Sequence, residues 1–192
     1  MSTDGPAAPP DFEEALLSLR GHRVRPELHL AEVPPPTRLA AYAAALTGEV
    51  NPAGTDPDGI LGHGRFVVLH EPAGQDAWDG TFRIIVLARA QLEDELGADP
   101  LLGEVGWSWL VEALADRGAS YHHLSGTVTR VLSETFGGLE LREGRVEMEI
   151  RASWTPTTLD LGPHLLAWAD LTCTAGGIEP LPENVTALAP RK

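Results

Sequence analysis

Residues 103–136 read GEVGWSWLVEALADRGASYHHLSGTVTRVLSETF, and the change of period inside them decides the fold. The first half predicts a helix over 105–117. Val105, Trp109, Leu110, Ala113 and Leu114 recur at helical spacing, while Ser108, Glu112, Asp116 and Arg117 form a polar edge. Two tryptophans in so short a helix imply burial, because each ring removes about 150–250 Å² from water. Gly118 offers the left-handed position that commonly stops a helix. From Tyr121 the period falls to two. Leu124, Gly126, Val128, Leu132 and Phe136 share one face, and His123, Ser125, Thr127, Thr129 and Ser133 share the other. A helix followed at once by a long amphipathic strand is a packing unit rather than a chemical motif.

Downstream, Val146, Met148, Ile150, Ala152 and Trp154 alternate strictly with Arg145, Glu147, Glu149, Arg151 and Ser153, the pattern of a half-exposed strand. Between the two strands the apolar phase slips, since Leu139 and Leu141 are odd-numbered and the earlier face is even. One extra residue at Gly137-Gly138 reconciles the phases, so a long hairpin with a bulge there and a turn near Glu143-Gly144 is expected; a plain loop over 137–144 is the alternative. A last helix is expected over 161–175, with Leu165, Leu166, Trp168, Ala169 and Thr172 turned inward and Gly176-Gly177 ending it.

Upstream, Asp11 and Glu14 stand at capping-box spacing ahead of a stripe of Phe12, Ala15, Leu16 and Leu19. Residues 22–33 read as an extended edge segment interrupted by Pro26. Three prolines, 34–36, then lead into an expected helix over 37–47, where Leu39, Tyr42, Ala43 and Leu46 fall at i, i+3, i+4 and i+7 and Gly48 suits the end. A short strand follows at 65–70. Another at 81–90 is apolar on both faces and therefore central. The expected order is α-α-β-β-α-β-β-α: an α+β domain with an antiparallel sheet of about four strands and helices packed mainly on one face. It occupies residues 11–178, between polar, proline-rich tails at 1–10 and 179–192 that are expected to be disordered. A similar order occurs in small secretion-chaperone-like proteins, which bind other proteins.

The chain has 192 residues, enough for one core without a staple. Cys173 is the single cysteine, which excludes an internal disulfide and a cysteine-based zinc site. No apolar run approaches the ~20 residues of a membrane span, so no membrane partner is expected and the cytoplasm is the expected compartment. Fourteen basic residues against 28 acidic give a net charge of −14, which opposes direct nucleic-acid binding. All basic residues but Lys192 are arginine.

No phosphate loop, nucleophile elbow, His-Glu-x-x-His or dinucleotide fingerprint occurs, so no catalytic residue is named and no cofactor is expected. His63, His70, His122, His123 and Glu71 have the chemistry of metal ligands but no spacing that fixes a site, and no metal is expected. Arg83 and Arg89 flank the centre of their strand on its odd face. Placed over Ser125, Thr127 and Thr129, beside His123, they form a candidate contact for a carboxylate or phosphate. Arg130 and Glu134 fall on the mainly apolar face, where charges are paired or lie near the sheet's end, and both are counted among the candidate ligand or partner contacts. A helix over 105–117 spans about 20 Å and a strand over 121–136 about 53 Å, so one helix cannot cover the strand. Phe136, Leu139, Leu141 and Met148 are the apolar patch this leaves, a candidate homodimer interface.

The segments FRIIVLARAQLE, DPLLGEVGWSWLVEAL, GTVTRVLSETFGGL, EIRASWTP and DLGPHLLAW together resemble the actinobacterial family catalogued as domain of unknown function 3000. The likeness runs from the first helix to Gly177, with GWSWL its most specific part. It supplies no catalytic residues. Members of that family are often encoded beside a ribonuclease D-like exonuclease, which implies an RNA-related setting, while the acidic charge argues against RNA contact. The leading expectation is a non-enzymatic protein-binding or regulatory module with an unidentified protein partner. The alternative is a small-molecule-binding protein or enzyme using the Arg/Ser/Thr face.

Overall fold

The computed structural model describes residues 8–52, 59–92, 99–133 and 145–178. Along them run α1 (Pro10–Ser18), β1 (Leu28–Val33), β2 (Tyr42–Val50), β3 (Gly62–Gln75), β4 (Gly80–Leu92), α2 (Leu102–Asp116), β5 (Tyr121–Ser133), β6 (Arg145–Pro156) and α3 (Gly162–Ala175). The fold is α+β, with one antiparallel sheet and the three described helices on the same face. The sheet has six strands, in the order β1-β2-β3-β4-β6-β5, rather than about four.

The excess over the expected count comes from β1 and β2. The segment at 22–33 does contain an edge strand, β1, which begins only at Leu28, two residues after Pro26. The expected helix over 37–47 is instead strand β2. Its run AAYAAALTGEV satisfies the helical period, yet Tyr42, Ala44 and Leu46 also alternate, and packing decides between the two. Small alanines pair closely with Val67, Val68 and Leu69 of β3. Gly48, which suited a helix end, pairs with Gly64 under the Trp168 indole. A Cβ on Gly48 would lie 3.0 Å from Trp168 Cη2, and one on Gly64 2.7 Å from Cζ2. The two glycines are therefore a slot for that ring, whose Nε1 donates 3.0 Å to the Leu87 carbonyl. With the second helix gone, the order differs from that of secretion-chaperone-like proteins and the analogy lapses.

Even-numbered side chains of β2, β3, β4 and β6 face the helices. Phe66, Val68, Ile84, Val86, Met148, Ile150 and Trp154 meet Leu110, Leu114, Leu165, Trp168 and Leu171 in one continuous core. Strand β4 is central and apolar on both faces, as its sequence requires. Behind the sheet, Ala45, Val67, Leu69 and Trp78 make a smaller second core beneath the β1–β2 connection. That connection is tied down where Ala41 N–H donates 3.1 Å to Glu71 and Gln75 donates 3.3 Å to the Leu39 carbonyl.

Helix α2 presents a stripe different from the expected one. Leu102, Gly106, Leu110, Ala113 and Leu114 are buried, Val105 is exposed, and Trp107 and Trp109 are half-buried. Gly106 lets the helix approach the sheet, since a Cβ there would lie 3.2 Å from Met148 Sδ. Trp107 lies over Gly126 of β5, where a Cβ would meet its ring at 2.7 Å. Met148 is fully buried in this contact and so cannot belong to an exposed patch. Glu134, Phe136, Leu139, Leu141 and the Gly137-Gly138 bulge lie outside the described residues. Trp154 is covered by α3, as its sequence position suggests, whereas Leu132 stands 65% exposed.

Candidate functional site

The candidate arginines are consumed by the fold. Arg83 projects from β4 onto the face away from the helices and is only 8% exposed. Its Nη1 donates to the His123 carbonyl at 3.0 Å and to Thr155 Oγ1 at 3.2 Å. Its Nη2 donates to Ser153 Oγ at 2.7 Å, to the Ser153 carbonyl at 3.3 Å and to Ser125 Oγ at 3.4 Å. Each acceptor is neutral. Burial without a carboxylate pulls the guanidinium below its ordinary value, and five acceptors offset the desolvation.

Arg89 pairs with acids on its neighbour. Its Nη2 lies 2.6 Å from Glu149 Oε2 and its Nε 3.3 Å from Glu147 Oε1, while Arg151 Nε lies 2.5 Å from Glu149 Oε1. Burial pushes the Glu149 carboxyl up, but the hydrogen bonds from Arg89 and Arg151 outweigh it and hold the group below its ordinary value. Hydrogen bonding to Glu149, with the charge of Glu147, raises Arg89. Thr127 and Thr129 are exposed on β5, in register with Arg151 and Glu149. Arg130, on the other face, donates 2.6 Å to the Asp99 carbonyl ahead of α2. Thus the structure joins Arg83 to Ser125 and His123, separates Arg89 and Arg130 from them, and forms no pocket walled by all three arginines among the described residues.

The histidines also divide. His70 is buried, stacked 4.1 Å from Phe82, with Nδ1 3.1 Å from the Thr81 carbonyl oxygen. His63 stands exposed beside Glu49 at the other end of β3. His122 and His123 instead meet Asp79, from the β3–β4 turn, with one ligand atom of each within 4.8 Å of the others. Asp79, Ser153 and Thr155 are the site residues missing from the sequence reading. Ser153 and Thr155 carry a signal, because they continue the polar side of β6 next to Ser125. Asp79 carries none beyond marking a turn with Gly80.

Two further features bound the chemistry. Burial pushes the Cys173 thiol up to about 11, so it is not a nucleophile at neutral pH. An open groove of about 480 Å³ under α1 is lined mainly by apolar side chains, including Leu16, Leu19, Leu30, Leu46 and Val68. No described helix is long and apolar enough to cross a membrane.

A family model described as "Protein of unknown function (DUF3000)" matches residues 8–186, and the chain belongs to that family. No curated protein and no solved structure matches it.

Proposed function

We propose that this member of the DUF3000 family is a non-enzymatic protein-binding module that receives an extended segment of a partner along β5. One observation carries the reading: among the described residues β5 lies at the edge of the sheet. Among the described residues it pairs with β6 alone, and from Ser125 to Ser133 the ladder runs without a bulge or proline and with Arg130 as its one charged side chain. Val131 is 47% exposed on one face and Leu132 65% exposed on the other, so a strand added at this edge would meet apolar side chains on both faces. The net charge of −14 favours a basic segment through long-range attraction. A cytoplasmic setting belongs to the same reading.

The small-molecule alternative is the less favoured reading, because Arg83, Arg89 and Arg130 each donate to protein acceptors. The reading is tested by a photo-crosslinking residue placed at Val131 or, as control, at Leu30 on the opposite sheet edge. A discrete product from position 131 only, lost when Thr127→Lys is added to the same probe-bearing chain, supports edge binding. A ladder of self-linked chains or equal products from both edges counts against it.

A further inference from the structure

Successive residues of a strand ordinarily point to opposite faces. His122 and His123 do not, because the pairing with β6 slips by one residue between His122 and Ser125, and His123 adopts φ 52°. The rings meet edge-on with centroids 4.9 Å apart and their Nδ1 atoms 2.6 Å apart. Asp79 arrives from the end of the turn 76–79, also left-handed at φ 50°. Among the described residues only three non-glycine positions have positive φ, and two of them hold members of this cluster. Residues with a Cβ adopt that region at a cost, and such positions gather at ligand clamps.

A shared support fixes both arms. Thr155 Oγ1 donates 2.6 Å to the carbonyl of Trp78, next to Asp79, and accepts from Arg83, which also holds the His123 carbonyl. The buried arginine therefore sets the spacing between the turn and the bulge.

We infer that Asp79, His122 and His123 form a binding site for a divalent first-row transition-metal ion. Two imidazoles and one carboxylate are a donor set for zinc and for ferrous iron, and three protein ligands leave a coordination position open. Ligand atoms around a tetrahedral ion at about 2.1 Å stand roughly 3.4 Å apart, a spacing the three side chains, with ligand atoms within 4.8 Å of one another, would reach by rotation. Beside Asp79 and His122 lies a cleft of about 320 Å³, also bordered by Thr81, Pro156 and Thr158, which leaves room for a small ligand on the open position. The site is independent of partner binding at the far half of β5.

Zinc titrated into the full-length chain by calorimetry tests this. One equivalent is expected to bind, with affinity lowered at least about tenfold by Asp79→Asn or His122→Ala. His63→Ala, removing the exposed histidine beside Glu49, leaves it unchanged. Asp79→Gly and His123→Gly suit the left-handed backbone, so they keep the metal-free unfolding temperature at or above wild type while losing zinc. Cobalt(II) gives a second readout: visible d–d bands at one equivalent, absent in Asp79→Asn. A wild type that binds no stoichiometric zinc, or an Asp79→Asn that binds as well as wild type, overturns the assignment.

Discussion

The indole Nε1 of Trp154 donates a 3.0 Å hydrogen bond to Nδ1 of His164, and both side chains are enclosed between β6 and α3. The acceptor role keeps His164 neutral. Burial pulls its pKa from 6.5 down to about 4, partly opposed by the charge of Asp160. The unfolded chain therefore takes up a proton near 6.5 that the folded chain refuses until about 4. This contribution to stability is complete above 6.5 and is lost as the pH falls toward 4, by roughly 3 kcal/mol in all. Urea titrations across that window should show wild type losing more stability than His164→Gln, which does not titrate. Parallel pH profiles would show that His164 titrates normally.

Arg83 is expected to be structural. Arg83→Ala leaves Thr155, Ser125, Ser153 and two carbonyls without their donor, at a cost of about 2–4 kcal/mol. Arg83→Lys should recover little of it, because one ammonium cannot span acceptors arranged for a planar fork. Denaturant midpoints check both; a loss below about 0.5 kcal/mol in Arg83→Ala would return the guanidinium to the list of free ligand-binding groups.

Two glycine replacements should move in opposite directions. Gly64→Ala drives a methyl to 2.7 Å from Trp168 and 2.8 Å from Thr172 Oγ1, and overpacking of this kind costs about 1–3 kcal/mol. Gly103→Ala, in the first turn of α2 with open space around it, should stabilise by up to about 1 kcal/mol. Thermal unfolding of the two variants reads the difference directly.

How far the fold is legible in the sequence depends on which signals stand alone. The alternation from Val146 to Trp154 and the two-sided apolar run of β4 give those strands outright, and Gly118, at φ 65°, ends α2 where its residue type suggests. The alanine-rich run before Gly48 fits both periods, and its pairing with β3, with Gly48 opposite Gly64 beneath Trp168, makes it a strand. That partnership joins residues far apart in the chain, so no local pattern reveals it. The candidate site follows the same division. Arg83 and Ser125 share a polar face that alternation can place, whereas Asp79 reaches His122 and His123 only through a turn and a bulge.

Cys173 should be silent toward thiol reagents in the folded state, given its complete burial and a pKa near 11. Labelling at neutral pH is expected to follow global unfolding in added denaturant. Rapid labelling of the native chain would mean that α3 opens on its own.

Amide hydrogen exchange, read with and without the partner trapped at Val131, tests edge binding most directly. Amides within 125–133 are expected to exchange more slowly in the complex while those of β1, 28–33, keep their free rates. Slowing confined to β1 or to the helices, with β5 unchanged, would contradict it.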